Sequence, residues 1–360
     1  MRMLPLLLIP FAALAYVLWH VWKVLPFPMA WRWIIIAMSL LAFFTMFLGF
    51  NRTLDQMPLP LASACYEVGF SSLFIMLYLF IAFLLLDIAK LIHVIPKSWL
   101  HDNGYTSSVL FVTMLVVFIY GYVHYQHKAR LPLTLTTHKD IGKEKKIVMM
   151  SDLHLGYHNQ KKDLARWIDM INAEQADLIL IAGDIIDMSM RPLEEENMAQ
   201  ELRRLNAPVY ACLGNHDYFC GVSNAQRFLS EANIKVLRDS MDTIEGLCLI
   251  GRDDRTNPHR KTLSELTKGI DNNKYVILLD HQPYHLEQAE EAKVDFQLSG
   301  HTHHGQLWPI SWITEAIYEC AHGEWQRGDT HYYVSSGLGI WGGKFRIGTQ
   351  SEYIVAFIKK

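Results

Sequence analysis

LILIAGDIID, residues 178–187, joins five apolar residues to a glycine and two carboxylates. A short run of this kind is typical of a strand that is buried on both faces of a sheet. Polar groups just past the C-terminal end of such a strand lie where open α/β sheets place their active sites. The stretch therefore predicts a buried strand that ends at a candidate site, with Gly183 at the turn and Asp184 and Asp187 beyond it.

Other apolar runs in the second half of the chain end in similar polar groups. The five blocks are Asp152-Leu153-His154, Gly183-Asp184-Ile185-Ile186-Asp187, Gly214-Asn215-His216-Asp217, Asp280-His281 and Gly300-His301-Thr302-His303. Their imidazole, carboxylate and amide groups suit two divalent ions that share an anionic oxygen. Because side chains alternate along a strand with a period of two, we expect Asp152 and His154 to point the same way, and likewise His301 and His303.

The order of these blocks, D-x-H, G-D-x-x-D, G-N-H-D/E, H and G-H-x-H, resembles the calcineurin-like metallophosphoesterase family. The resemblance implies an α/β domain built as a two-sheet β sandwich flanked by helices, in which a water between two metal ions attacks phosphorus. It also implies that Asp184 bridges the ions and that Asp187 orients His216 beside the leaving oxygen. The remaining implied ligands are Asp152, His154 and His303 for one ion and Asn215, His281 and His301 for the other.

Two further stretches, LSGHTHHGQ at 298–306 and YVSSGLGIW at 333–341, resemble one branch of this family. The branch contains membrane-attached bacterial phosphodiesterases, a UDP-2,3-diacylglucosamine pyrophosphatase and animal transmembrane proteins with a metallophosphoesterase domain. Arg346 follows the second stretch, and we predict that its planar guanidinium binds a second phosphate of the substrate. An ordinary surface arginine is the alternative.

The N-terminal third of the chain is strongly apolar. Four stretches, 4–22, 33–50, 70–86 and 107–125, each approach the roughly 17–25 residues with which a helix crosses a bilayer. We predict an α-helical transmembrane region of four helices at 1–127, a connector at 128–146 and the metallophosphoesterase domain at 147–360. A cleaved signal peptide is the alternative for the first stretch, although the three later spans favour a retained anchor.

Charge and cysteine content bear on location and partners. Basic residues near the predicted membrane ends number five on the side of the catalytic domain and four on the other, which favours a cytoplasmic domain at a bacterial inner membrane. The five cysteines show no disulfide framework. A net charge of −3 without a basic face argues against nucleic acid as a partner. Four spans would also allow a membrane partner protein.

These patterns together predict a membrane-embedded dinuclear-metal phosphoesterase that hydrolyses a phosphoester or pyrophosphate bond. A lipid-linked substrate such as UDP-2,3-diacylglucosamine is favoured, because a tethered site meets bilayer substrates without a separate binding step. The alternatives are a phosphodiesterase of soluble substrates and a catalytically silent metal-binding sensor or scaffold. Mn is the predicted metal, with Fe, Zn, Ni, Co or Mg also compatible with these ligands.

Overall fold

The computed structural model describes the backbone of residues 4–271 and 273–360, and the side chains of 10–271 and 273–360. The chain divides into two compact units. The first consists of residues 1–123 with 342–344, and the second of residues 124–341 with 345–360. This division lies close to the predicted boundary between the apolar region and the metallophosphoesterase domain.

The first unit is helical. Its helices are α1 Leu4–Val24, α2 Met29–Thr45, α3 Phe47–Phe50, α4 Leu59–Leu91 and α5 Gly104–Gln126, with 3-10 turns at Thr53–Gln56 and Lys97–Leu100. The last three residues of α5 belong to the second unit. Three segments, 29–50, 59–91 and 104–126, are long and apolar enough to cross a membrane by length and composition. They coincide with the second, third and fourth predicted spans. The first predicted span falls on α1, of which the side chains of residues 4–9 lie outside the described part.

Helix α4 is much longer than its predicted span of residues 70–86. It contains 33 residues and begins with Pro60 in its first turn. At 1.5 Å per residue its length is about 50 Å, which exceeds the roughly 30 Å hydrocarbon core of a bilayer. The predicted span covered only the most apolar residues. The helix continues beyond them because no proline or glycine pair stops it on either side.

A polar cluster ties α1 to the C-terminal part of α4. The hydroxyl of Tyr16 donates to Asp87 Oδ2 at 2.7 Å, and His20 Nε2 lies 2.9 Å from the same oxygen. Lys90 pairs with the other carboxylate oxygen. Asp87 is thereby compensated by three partners in an apolar setting, where an isolated charge would be costly.

The second unit contains two six-stranded mixed sheets. The strands are β1 Lys128–Thr136, β2 Lys145–Met150, β3 Leu178–Ala182, β4 Val209–Cys212, β5 Ile234–Val236, β6 Ser240–Ile244, β7 Leu247–Gly251, β8 Tyr275–Leu279, β9 Phe296–Ser299, β10 Gly323–Arg327, β11 Thr330–Val334 and β12 Ser351–Lys359. The first sheet has the order β1-β12-β2-β3-β4-β5, and the second β10-β11-β9-β8-β7-β6. This architecture confirms the predicted two-sheet α/β domain.

Helices flank the sheets, and alternate strand residues explain why. The helices are α6 Lys161–Asn172, α7 Arg191–Glu195, α8 Met198–Leu202, α9 Asn215–Phe219, α10 Val222–Glu231, α11 Leu263–Leu266, α12 Glu287–Glu291 and α13 Ile310–Ile317, with a 3-10 turn at His303–Gly305. In β3, Leu180 packs between the sheets, whereas Ile179 and Ile181 pack against the helical layer around Trp167. Because β3 is buried on both faces, it forms a continuous apolar run, and the chain beyond its end is held firmly.

Residues 128–146 do more than connect the two parts of the chain. Lys128–Thr136 forms strand β1, which pairs in parallel with β12 along its whole length. Leu133 and Leu135 enter the core between the sheets. The prediction of a simple connector is therefore corrected for these nine residues. Pro132 fits because β1 lies at the edge of its sheet, where a missing backbone donor is tolerated.

Candidate metal centre

Five loops bring the predicted site residues together at the C-terminal ends of strands from both sheets. Asp152 and His154 follow β2, Asp184 and Asp187 follow β3, Asn215 and His216 begin α9 after β4, His281 follows β8, and His301 and His303 follow β9. Three overlapping groups of ligand atoms, each within 4.8 Å, result. They are Asp152–His154–His303, His154–Asp184–His216 and Asp184–His281–His301.

The first group surrounds a point between two imidazoles. Nε2 of His154 and Nε2 of His303 lie 3.0 Å apart. Oδ1 of Asp152 lies 3.5 Å from the His303 nitrogen and 3.8 Å from the His154 nitrogen. Two nitrogens at this separation are close enough to share one ion, since metal–nitrogen distances are about 2.0–2.1 Å.

A second group forms around the carboxylate of Asp184, which also lies near His154 of the first group. Nε2 of His281 lies 3.1 Å from Asp184 Oδ2, and Nε2 of His154 lies 3.7 Å from the same oxygen. His301 completes the group, with its ring centroid 5.3 Å from that of His281. The side-chain oxygen of Asn215 is buried and makes no hydrogen bond to any described residue. An amide oxygen in this state is suited to ligating a cation.

The hydrogen bonds of His281 show that a positive charge belongs in this group. Nδ1 of His281 donates to the Ala182 carbonyl at 2.7 Å, so the neutral ring directs the lone pair of Nε2 towards the Asp184 carboxylate. Burial lowers the pKa of His281, but Asp184 and Asp152 outweigh it and raise that pKa well above its usual value. A proton or a metal ion between these atoms is therefore favoured, and the donor set fits a divalent ion.

One carboxylate holds two of the imidazoles. Asp187 Oδ1 accepts from His216 Nδ1 at 3.0 Å and lies 3.4 Å from His154 Nδ1. Both rings therefore turn Nε2 towards the centre, and such a partner fixes the tautomer of a metal ligand. Burial raises the pKa of Asp187, but the two histidines lower it far below its usual range. The predicted contact to His216 is present, and the contact to His154 was not predicted.

Charge also sets the protonation of His216. Burial lowers its pKa, but the carboxylates of Asp184 and Asp187 raise it to about 9. Its imidazole is consequently protonated at neutral pH and can donate from Nε2. His216 also belongs to the group formed with His154 and Asp184, so distance alone does not separate an acid from a ligand, and its role stays a prediction.

The backbone of the ligand loops is strained. Five of the predicted ligands have a positive φ, namely Asp152 at 54°, His154 at 44°, Asp184 at 51°, His301 at 70° and His303 at 49°. Such conformations are uncommon for residues other than glycine and cluster at functional sites. The Asp152/His154 pair and the His301/His303 pair lie beyond the ends of their strands. Contrary to our expectation, strand alternation therefore does not set the directions of these side chains. The left-handed turns set them instead.

Two glycines make the close approach of these loops feasible. Gly183 has φ +80°, and a Cβ there would lie 2.7 Å from Nδ1 of His281. A Cβ on Gly214 would lie 2.2 Å from Oδ1 of Asp184. A side chain at either position would displace a ligand, which agrees with the turn predicted at Gly183.

Several neighbours of the site could not be assigned from sequence. Ser151 donates to Asp152, and Asp217 accepts from the backbone nitrogens of Gly214 at 2.8 Å and Ile186 at 2.9 Å. Asp217 thereby fastens two ligand loops together, and its place in the G-N-H-D block was the available signal. Phe219 and Trp341 lie beside His216, with ring centroids 4.9 and 6.4 Å away. Nothing in the sequence singled out Ser151 or Phe219.

Arg346 does not have the position that we predicted. Its side chain is fully buried. The guanidinium donates to the carbonyl of His303 at 2.6 Å, to the carbonyl of Ser336 and to Ser351 Oγ at 3.1 Å. These acceptors occupy the fork that a phosphate would need, so the predicted substrate contact is corrected. Arg346 instead holds the backbone of a candidate metal ligand in place.

Comparison with known proteins agrees with this geometry. Residues 145–305 match the family model described as calcineurin-like phosphoesterase. The metallophosphoesterase Cj0846 of Campylobacter jejuni is 30% identical over 228 residues, which cover 61% of this chain and 60% of that protein. F40B5.2 of Caenorhabditis elegans is 30% identical over 345 residues, or 87% of this chain and 69% of the relative. The chain belongs to the calcineurin-like metallophosphoesterase family.

One vertebrate relative is named as a transmembrane protein. The transmembrane protein with metallophosphoesterase domain of Danio rerio is 30% identical over 234 residues, which cover 60% of this chain and 53% of that protein. This chain thus spans only about half to two thirds of the length of the relatives compared, from 53% of the Danio rerio protein to 69% of the C. elegans one. Phosphoester hydrolysis and metal dependence are the properties that the family supports.

Metal content separates the roles of Asp184 and His216. We expect Asp184→Ala to lose most of its bound metal, because the carboxylate lies near His154 of one predicted ligand set and His281 of the other. His216→Ala should retain nearly the metal content of the wild type, because seven other candidate ligands remain. Plasma mass spectrometry of the purified full chain measures both, and equal metal loss in the two variants would contradict the assignment.

Proposed function

We propose that this protein is a dinuclear metal-dependent phosphoesterase that acts at a membrane. The observation that supports it best is the position of Asp184, whose Oδ2 lies 3.1 Å from Nε2 of His281 in one proposed ligand set and 3.7 Å from Nε2 of His154 in the other. Family membership supports hydrolysis of a phosphoester bond. Together they favour a functional metal centre over a silent scaffold, since every block of the family pattern keeps its ligand types here.

Seven residues would hold the metal ions. Asp152, His154 and His303 would bind one, His281, His301 and Asn215 the other, and Asp184 both. When bound, two divalent ions supply positive charge for the phosphoryl oxygens and lower the pKa of water. Histidine and carboxylate ligands suit Mn, which we propose first, as well as Fe, Zn, Ni or Co.

His216 would serve the leaving group. Asp187 accepts from its Nδ1, so the second nitrogen of the protonated ring is the one that can donate a proton to the leaving oxygen. Phe219 and Trp341 flank the imidazole and limit the space in which it can turn. Asp187 acts through His216 and His154 and is therefore a positioning residue.

The proposed substrate is a phosphoester carried by a bilayer lipid. Three segments long and apolar enough to span a membrane support it, because a tethered site is concentrated near its substrate. The basic residues near the predicted membrane ends, five against four, favour the cytoplasmic side of a bacterial inner membrane for the second unit in this proposal. A phosphodiester of a soluble alcohol is the alternative.

The two substrates are distinguished by comparing kcat/KM for one headgroup carried on a long-chain lipid in nanodiscs and on a short-chain soluble analogue. Equal kcat/KM values would contradict the lipid preference.

The reaction is tested with the full chain in detergent, stripped of metal and reloaded with Mn²⁺. We expect hydrolysis of bis-p-nitrophenyl phosphate only after reloading. His216→Ala should lower turnover about 10²–10⁴-fold for an alkyl phosphodiester, whose leaving group needs a proton. Its effect on the p-nitrophenyl ester should be smaller, because p-nitrophenolate leaves without one.

Two controls keep this experiment interpretable. Asp184→Ala should lose activity on both substrates together with its metal. Absence of turnover in the wild type with each of Mn²⁺, Zn²⁺ and Co²⁺ would contradict the proposed function. An equal loss on both esters in His216→Ala would refute only the role of His216 as an acid.

The pH dependence tests the link between Asp187 and His216. Asp184 and Asp187 raise the pKa of His216 to about 9, so its acidic form is present at neutral pH and is lost as the pH rises through that value. Asp187→Asn removes one of these charges and should move the alkaline limb of kcat for the alkyl ester to lower pH. Metal content is measured in parallel because Asp187 also contacts His154. An alkaline limb that stays in place, with metal retained, would argue against this coupling.

A further inference from the structure

An apolar patch lies directly after the last predicted ligand loop. Helix α13 has the sequence ISWITEAI and exposes 61% of Trp312, 57% of Ile313 and 61% of Ile317. Trp308, in front of the helix, is 39% exposed, and its ring lies 5.3 Å from that of Trp312. We call these four residues the α13 patch.

The α13 patch concentrates the exposed apolar surface of the second unit. Among the described residues of that unit, the other large apolar side chains that are comparably exposed are Phe219 and Met241. Four large apolar side chains within ten positions are unusual for a surface in water and mark an interaction site. The question is what covers them.

Helix α13 is connected to the candidate metal centre through its second half and through the residues that follow it. Its one charged residue, Glu315, lies 2.9 Å from Nε2 of His304, next to the ligand His303. After the helix, the ring of Tyr318 lies 6.4 Å from that of His301, and Thr302 donates to the carbonyl of Ala321 at 2.6 Å. The charge of the helix is thus engaged by the ligand loop, whereas its apolar side chains face outward.

We propose that the α13 patch docks into the boundary between headgroups and acyl chains of the bilayer that holds the candidate spans of this chain. Tryptophan rings favour this layer, and isoleucine supplies apolar area below it. The helix contains no lysine or arginine, so apolar burial rather than attraction to anionic lipid would hold it. Docking would set the loop that carries His301 and His303 against lipid phosphates.

The path of the chain supports the bilayer as the occupant. Helix α5, the last candidate span, ends at Gln126, and β1 of the second unit begins at Lys128. A single residue therefore separates a segment that can cross the bilayer from the first strand of the catalytic fold. Because the tether is this short, a bilayer is available at high local concentration without any other partner.

Depth measurement in a bilayer tests the proposal without measuring hydrolysis. The full chain, with Cys65→Ser and its four buried cysteines kept, is placed in phosphatidylcholine nanodiscs. A spin label is attached at Ile313→Cys or, as the matched control, at the exposed apolar position Met241→Cys on β6. We expect the label at position 313 to collide with oxygen more than with a nickel chelate, at a depth of about 5–10 Å. The label at position 241 should behave as in water.

Every other pattern contradicts docking. A label at position 313 that matches the one at 241 places the patch in water, and a label shielded from both quenchers places it against protein, such as a second copy. Adding Trp312→Ser and Ile317→Ser should reduce the depth of the label while metal content stays unchanged. An unchanged depth would also overturn the proposal. Since none of these readings depends on turnover, docking and the proposed reaction fail independently.

Discussion

A buried carboxylate shared between two groups of imidazoles is the constraint on which the catalytic unit depends. Asp184 accepts from the backbone of His216 at 2.8 Å and directs its other oxygen to His281 and His154. Burial raises the pKa of Asp184, but His281 and His216 lower it well below its usual value. A charge held in this way needs positive partners, because a buried unpaired carboxylate is costly. Protonated imidazoles or metal ions supply that positive charge, and the donor set fits divalent ions.

The two sheets hold the strained backbone of the ligand loops in place. Positive φ values at five candidate ligands cost roughly 1–3 kcal/mol each and persist only where the surroundings determine the backbone. Strands such as β3 are buried on both faces and fix where each loop begins. Side chains behind the ligands fix where the loops go, with Asp217 joining two of them and Arg346 holding the carbonyl of His303. The buried strands and these contacts together bring the candidate ligands to one place.

The fold class and the location of the site could be predicted from the sequence, but the detailed geometry of the site could not. Residues 178–187 predicted a buried strand with carboxylates at its end, because hydrophobic runs and turn glycines are local signals. The position of Arg346 was predicted wrongly because two of its acceptors are backbone carbonyls, which have no sequence signature. The contact between Asp187 and His154 joins positions 33 apart and depends on a left-handed turn. Strand β1 was missed because its partner, β12, lies at the far end of the chain.

Anomalous diffraction would show whether two ions share Asp184. Crystals of the full chain loaded with Mn²⁺ would be measured at the Mn absorption edge. We expect two peaks, one among Asp152, His154 and His303 and one near His281 and His301, with Asp184 contacting both. A single peak, or peaks away from Asp184, in protein that hydrolyses a phosphoester would contradict it.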